Sequence, residues 1–411
     1  MSINPIVLSI PVFFILICVE VVIQYFSKEK LYRVNDSISN ISCGILEQVT
    51  GVFIKTSTIA MYHYIYENFS LFKIPQTTWT FLLLFIGCDF FYYWAHRMSH
   101  QINLFWGGHV VHHQSEDYNL SVALRQSSFQ TFWFFFFYFP LAFLGFNTTS
   151  YLFASAIVTL YQFWIHTEKI KTLGPLEYIF NTPSHHRVHH GVDPKYIDKN
   201  HAGTFIIWDK MFGTFQKEEE KPTYGITTPA NSWNPIEVNL AHYRDMFSTV
   251  KRFPKLSDKL RFLLKPPGWL PDRMGGPAKI PQVNKQSYKK YDSDPGIKFR
   301  VYAVIQYLSC LLLASLYLIH EPSMSLPVKL VFTGGVILSL ISFAGLFEKR
   351  IWTSLSEYIR LVSTVALLSY LFYEISWVLT ILFTGCLYLF SSLVWFKALL
   401  IQKAALPSTN R

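Results

Sequence analysis

Apolar residues in this chain come in long unbroken runs, neither alternating nor confined to one helical stripe. A helix that crosses a bilayer needs about 20 predominantly apolar residues. Runs of that kind cover residues 5–26, 43–65, 77–95, 129–146, 148–165, 298–319, 327–347, 356–373 and 376–396. The segments 43–65 and 356–373 each carry charge and are the weakest of the nine. The first run has no basic stretch ahead of it and no small-residue cleavage site, so it is expected to stay as an anchor rather than to be removed as a signal peptide. The expected fold class is an all-α integral membrane protein with about nine membrane-embedded helices.

From Gln126 to Thr167 there are 42 residues without one Asp, Glu, Lys or Arg. As helix they span about 63 Å, enough for two crossings of a ~30 Å hydrocarbon core. Gly145-Phe146-Asn147 is the expected turn between them. A hairpin returns to the side it left, so the segment before Arg125 and the segment after His166 emerge on one face. Residues 251–300 hold 13 Lys/Arg and 4 Asp/Glu, so nearly the whole excess of +10 sits there. Excess Lys/Arg marks cytoplasmic loops, which makes that face the cytosolic one. The same stretch is rich in proline and is expected to lie extended along the surface, where its charge would meet anionic head groups or simply set topology. Nucleic acid is not an expected partner. The organisation read from these runs is N-terminal anchor helices in 1–76, a catalytic region in 77–230, a basic Pro-rich cytosolic linker in 231–297, and C-terminal membrane helices in 298–411.

Composition agrees with a membrane chain: 51% of the 411 residues are hydrophobic and 15% charged, where a soluble domain is nearer a quarter charged. The five cysteines lie far apart in or beside apolar runs and form neither a disulfide framework nor a cysteine metal cluster. Histidine is the anomaly. Of 14 in the chain, 11 fall between His96 and His201.

Three spacings organise them. His96-Arg-Met-Ser-His100 is i, i+4. His109-Val-Val-His112-His113 and His186-Arg-Val-His189-His190 are i, i+3, i+4. On a helix these positions share a face, so each box is expected to aim its imidazoles at a common point. Eight imidazoles exceed what one tetrahedral zinc takes, and two metals with three to five nitrogens each would use them. Imidazole suits zinc, copper, iron and nickel alike, and there is no His-Glu-x-x-His hydrolase helix. The expected architecture is thus a cytosolic helical cap with a histidine-rich di-metal site.

These spans and boxes resemble the fatty acid hydroxylase and sterol desaturase superfamily of membrane di-iron enzymes. Within it, FWGGHVVHHQSEDYNLSVALRQS and YQFWIHTEKIKTLGPLEYIFNTPSHHRVHHGVDPKYIDKNHAGTFIIWDKMFGTF resemble the alkylglycerol monooxygenase family, over about residues 77–230. The resemblance implies a multi-pass enzyme of the endoplasmic reticulum membrane, its active site facing the cytosol, that uses two iron ions, tetrahydrobiopterin and dioxygen. It would hydroxylate the ether-linked carbon of a membrane-dissolved alkylglycerol, and the hemiacetal would collapse to a fatty aldehyde and glycerol. Carried over residue by residue, the boxes are His96 and His100, then His109, His112 and His113, then His186, His189 and His190, with His166 of FWIHTE as a ninth ligand. One position departs: where that family has an acid after the second histidine of the first box, this chain has Gln101. Gln101 is therefore the expected pterin-contacting residue, with its negative charge lost.

Several other residues draw attention. Asp89, two helical turns before His96, stands either to accept the second ring N–H of a ligand histidine or to satisfy another buried polar group. Glu116, Asp117 and Asn119 could support the site or lie in a solvated loop. Arg125 and Arg187 could contact a head group. His185 lies off the face of its box, and His201 is an ambiguous extra. The run from Phe132 to Phe139 would line an alkyl tunnel or face lipid. Two rival functions remain: hydroxylation or desaturation of a sterol, sphingolipid or fatty acyl chain, and metal transport, which would demand polar residues at mid-span.

Overall fold

The computed structural model describes residues 5–293, 295–373 and 378–405. Among them the chain is helical throughout, with no strand beyond the single bridges Phe180–Phe205 and Gly191–Tyr224. The helices are α1 (Pro5–Ser27), α2 (Val34–Phe69), α3 (Thr78–Gln101), α4 (Asn103–Trp106), α5 (Val110–His113), α6 (Gln130–Phe134), α7 (Phe139–Leu144), α8 (Thr148–Trp164), α9 (Pro183–His189), α10 (Ile207–Met211), α11 (Pro235–Lys251), α12 (Leu256–Leu264), α13 (Ile297–His320), α14 (Leu326–Glu348), α15 (Thr353–Leu371) and α16 (Val378–Ala405). Contacts group them into two compact units. One holds Met1–Glu47, Gly51–Asn231 and Val238–Tyr291; the other holds Gln48–Thr50, Ser232–Glu237 and Asp292–Arg411.

Five helices among the described residues are long and apolar enough to cross a membrane, at Leu8–Ser27, Thr78–Gln101, Ile297–Ser323, Leu326–Glu348 and Leu382–Gln402. The other expected spans fold differently. The segment 43–65 is the middle of α2, and its Glu47, Gln48, Lys55 and His63 make it too polar to count as a span. The segment 129–146 is broken into α6, a 3-10 turn at Phe135–Tyr138 and α7, so it forms only a short apolar helical stretch, Gln130–Leu144. Pro140 in the first turn of α7 contributes to that break, since it supplies no N–H to a continuous ladder. The segment 148–165 becomes α8, with 17 residues, and 356–373 lies mostly in α15, with 19. The last expected span, 376–396, begins outside the described residues and continues as α16.

The turn between α7 and α8 forms where the sequence placed it. Gly145 sits at φ 102°, and a Cβ there would meet the Phe72 carbonyl oxygen at 1.9 Å, so glycine alone fits. Asn147 then caps α8, its side-chain oxygen accepting from the Ser150 N–H at 2.9 Å.

In the first unit α3 is the central element. A reciprocal capping box of Thr77 and Thr80 starts it. Its Leu84, Cys88 and Ala95 pack with Tyr62 of α2, Phe134 and Tyr138, Leu141 and Ala142 of α7, and Tyr151, Ala154 and Val158 of α8. Residues 251–300, read from their prolines as extended, instead contain α12 and the start of α13, with α11 just before them. Met246 and Phe253 pack there against Phe262, because apolar residues recur at helical spacing between the prolines. In the second unit α13 to α16 pack on one another around a buried Arg360–Glu357 pair, which Tyr302, Gln306 and Ser342 also bond.

Candidate metal centre

At 24 residues, α3 is about 36 Å long, several ångströms more than a ~30 Å hydrocarbon core, so it is long enough to cross one with its last turn to spare. The last two turns carry His96 and His100. Short helices bring in the rest: α5 presents His112 and His113 behind its N-cap residue His109, α9 presents His186 and His189 with His190 as its C-cap residue, and His166 comes just after the end of α8. All nine are buried.

They form two sets, in each of which the candidate ligand atoms lie within 4.8 Å of one another: His96, His100, His109, His113 and His189 in one, His112, His166, His186 and His190 in the other. The second and third boxes therefore do not each aim at one point. Residues i+3 and i+4 lie about 100° apart around a helix, so adjacent histidines diverge. His113 joins His109 in the first set while His112 turns to the second. His190 joins His186 in the second while His189 turns to the first. The sets share a boundary at which the His113 and His190 rings stack, centroids 4.5 Å apart.

Hydrogen bonds fix the ring tautomers. Nδ1 of His96 donates to the His201 carbonyl at 2.8 Å, Nδ1 of His112 to the Arg125 carbonyl at 3.0 Å, Nδ1 of His166 to the Gln162 carbonyl at 2.7 Å, and Nδ1 of His189 to the Lys199 carbonyl at 2.9 Å. A carbonyl only accepts, so each Nδ1 carries the proton and each neutral ring leaves Nε2 bare. Nδ1 of His109 likewise meets the Gln130 side-chain oxygen at 3.0 Å. Yet Nε2 of His96 lies 2.8 Å from Nε2 of His109, and Nε2 of His112 lies 3.2 Å from Nε2 of His166. Two facing lone pairs with no proton between them repel, and a cation shared by both removes the conflict. Two nitrogens each about 2.1 Å from one metal and at right angles would be about 3.0 Å apart, which these separations match. The buried, unpartnered Nε2 of His189 is a further bare donor.

The rings stay neutral. Burial pushes His112 down to about 4 and His189 down to about 3, and holds His109, His113, His166, His186 and His190 well below the usual histidine value, with neighbouring imidazoles adding to it. Neutral imidazole is the metal-binding form.

The supporting residues have distinct roles. Asp89 touches no ligand histidine. It accepts from the Thr204 and Phe205 N–H groups and from Trp208 Nε1, so it pins the segment after His201 to α3. Asp209 pins the same segment from within, accepting from the His201 and Ala202 N–H groups. Arg125 meets no head group: its guanidinium is buried on the Val111 carbonyl, Ser39, Asn40 and Gln114. Arg187 pairs with Glu218 and bonds the carbonyls of Thr167, Ile170 and Lys171, so its guanidinium is committed within the chain. Glu116 and Asp117 are buried and tied to Tyr288, Tyr291, Arg33 and Lys290. Asn119 is buried and donates to the Leu31 carbonyl. His185 belongs to neither set and lies against Phe215. His201 is buried beside His100, with ring centroids 4.9 Å apart. Gln101 is half-buried one residue past His100 and outside both sets.

The aromatic run is two-faced. Phe132 and Phe136 are exposed, while Phe134 packs inward with its ring 6.4 Å from His96 and 6.0 Å from His109, giving the first set an apolar wall. Sequence reasoning passed over Tyr118, although it sits inside the SEDYN stretch. Its ring stacks on His166 at 5.9 Å and meets His190 at 5.3 Å. On its other side it stacks on Tyr224 at 4.8 Å, and both tyrosines line a groove of about 510 Å³.

The fatty acid hydroxylase family model matches residues 81–214. The chain is 43% identical over 355 residues to an alkylglycerol monooxygenase of Xenopus tropicalis, covering 85% of this chain and 78% of that one. It is 40% identical over 354 residues to an alkylglycerol monooxygenase of Homo sapiens, covering 85% and 79%. It is 30% identical over 140 residues to the ornithine lipid hydroxylase OlsE of Rhizobium tropici, covering 31% and 39%. No solved structure matches it.

Proposed function

This chain belongs to the alkylglycerol monooxygenase family and is an oxidoreductase, and from that premise we propose that it hydroxylates the ether-linked carbon of alkylglycerols with two iron ions and tetrahydrobiopterin. The product hemiacetal collapses to a fatty aldehyde and glycerol. The observation that carries this reading is the pair of facing, bare Nε2 atoms in each buried histidine set.

The first iron would be held by His96, His100, His109, His113 and His189, and the second by His112, His166, His186 and His190. Bound there, a metal pair supplies the activation of dioxygen. The residues of the chain do the rest. The carbonyls of His201, Arg125, Gln162 and Lys199 hold four rings in the tautomer that leaves Nε2 free, and Gln130 does so for His109. Phe134 and its neighbours keep water from the first set and offer the alkyl chain an apolar surface. Because the sets gather at the C-terminal end of a helix long and apolar enough to span the membrane, a lipid can present the carbon next to its head group without leaving the bilayer.

Gln101 is the proposed pterin contact, its side-chain carbonyl accepting from the ring N–H groups. We place the enzyme in the endoplasmic reticulum membrane with both sets facing the cytosol. The deciding experiment is to purify the protein, quantify iron and zinc per chain, and measure alkylglycerol cleavage with and without tetrahydrobiopterin. Activity that needs no pterin and runs instead on a reductase and cytochrome would transfer the assignment to the sterol or fatty acyl hydroxylase reaction, a reading that Gln101 leaves open.

A further inference from the structure

Helix α12 carries a feature that the metal centre does not use. Leu256, Leu260 and Leu264 recur at i, i+4, i+8 and are 70%, 52% and 59% exposed, an apolar stripe along one face. The opposite face, with Asp258 and Phe262, is buried against Arg273, Met246 and Phe253. Cations border the stripe on both sides. Lys255 and Lys259 lie about 100° to one side of Leu256 and Leu260, and Arg261 and Lys265 about 100° to the other side of Leu260 and Leu264. None of the four makes an ion pair among the described residues.

The depth of this helix is set by α3. Two residues past the end of that membrane-spanning helix, the Asn103 N–H donates to the Lys265 carbonyl at 2.9 Å, and the Asn103 side chain donates to the Phe262 carbonyl at 3.2 Å. The end of α12 is thereby fastened where α3 reaches the head-group region. A leucine stripe with basic borders, held at that level, has the chemistry of a helix lying in an interface: apolar side chains enter the acyl boundary while the cations stay among anionic head groups.

We propose that α12 is an interfacial helix that seats the catalytic unit on an anionic lipid surface, on the membrane face that holds the histidine sets. Its seating also bears on the site. The Asn103 bonds clamp the loop that runs from His100 to His109, and Trp106 in that loop packs on His100 and His113 with ring centroids 4.9 Å and 5.5 Å apart. Docking α12 on the leaflet therefore stiffens the connection between the first two histidine boxes.

The test uses the full chain in nanodiscs of phosphatidylcholine, alone or with phosphatidylserine. Exposed Cys18 and Cys386 are replaced by serine, leaving the buried Cys43, Cys88 and Cys310. An environment-sensitive NBD label is placed on Leu260→Cys and, as an aqueous control, on Glu219→Cys. The expected result at position 260 is a blue-shifted emission, quenching by nitroxide-bearing lipid and protection from iodide, all stronger with phosphatidylserine, while position 219 stays open to iodide. Changing Lys255, Lys259, Arg261 and Lys265 together to Gln should erase the difference between the two lipids and leave the metal content unchanged. If iodide quenches position 260 as fully as position 219 in both lipids, the helix faces water and the proposal falls. It falls equally if position 260 is protected from iodide yet untouched by the lipid-borne quencher, because protein then covers the stripe.

Discussion

Splitting the adjacent histidines 112 and 113 between two candidate metal sets has a measurable consequence. His112 is one of four imidazoles in its set and His113 one of five in the other. A four-ligand site binds a structural divalent ion with about 10–16 kcal/mol, so one imidazole in four stands for roughly 2.5–4 kcal/mol. At about 1.4 kcal/mol per tenfold, His112→Ala should weaken the second metal by roughly two to three orders of magnitude. His113→Ala leaves four nitrogens, still a full tetrahedral complement, and should cost the first metal much less. The assay is iron and zinc per chain after dialysis against a weak chelator, with circular dichroism to check the fold. We expect near two metals per chain in the unmodified protein and in His113→Ala, and about one in His112→Ala. The double variant His112→Ala/His186→Ala should also retain about one, because both residues serve the same ion. Loss of both metals from that double variant, or equal losses in the two single variants, would refute the partition.

Four other outcomes are expected on the same physical grounds. Since burial lowers His112 to about 4 and His189 to about 3 in the folded protein, the unfolded chain takes up protons first. Stability of the metal-free protein should therefore be complete above about pH 6.5 and fall as pH drops toward 4 and then 3, which a series of thermal melts would reveal. Gln101→Glu restores a charged acceptor, worth about 1 kcal/mol more than a neutral one, and should lower the pterin KM several-fold with little change in kcat; an unchanged KM would remove Gln101 from the cofactor site. Glu357→Gln leaves the Arg360 guanidinium uncompensated in the interior of the second unit and should destabilise it by about 3–5 kcal/mol, seen as a large drop in melting temperature. Cysteines at Ser70 and Glu219 in sealed microsomes should react from opposite sides of the membrane; labelling of both from one side would overturn the expected sidedness.

The topology experiment avoids a site that sequence alone would have chosen. Asn119-Leu-Ser121 reads as a glycosylation sequon in a polar loop, but Ser121 is fully buried and bonded to Asn119, so a cysteine there would be shielded. Asn68, in the sequon Asn68-Phe-Ser70, is exposed near the end of α2. Burial of a polar loop is invisible in composition, because the cover over Glu116 to Ser121 includes Arg33, Lys290 and Tyr291 from distant parts of the chain.

The amino-acid sequence by itself determined the helical membrane character, the Gly145 turn and the identity of the nine clustered histidines, because each rests on local chemistry: apolar run length, positive φ, and imidazole spacing. Only the tertiary structure decided which ring joins which set. Helical periodicity says that His112 and His113 diverge, but not where another helix waits to receive each one. Nor could sequence reveal the acceptors on Nδ1. The carbonyls of His201, Arg125, Gln162 and Lys199 belong to the backbone, which is the same at every residue, and only folding puts those four beside the rings they orient. The same limit applies to Asp89: its acidic charge inside an apolar run announced a buried partner, and three-dimensional packing made that partner the backbone after His201 rather than an imidazole.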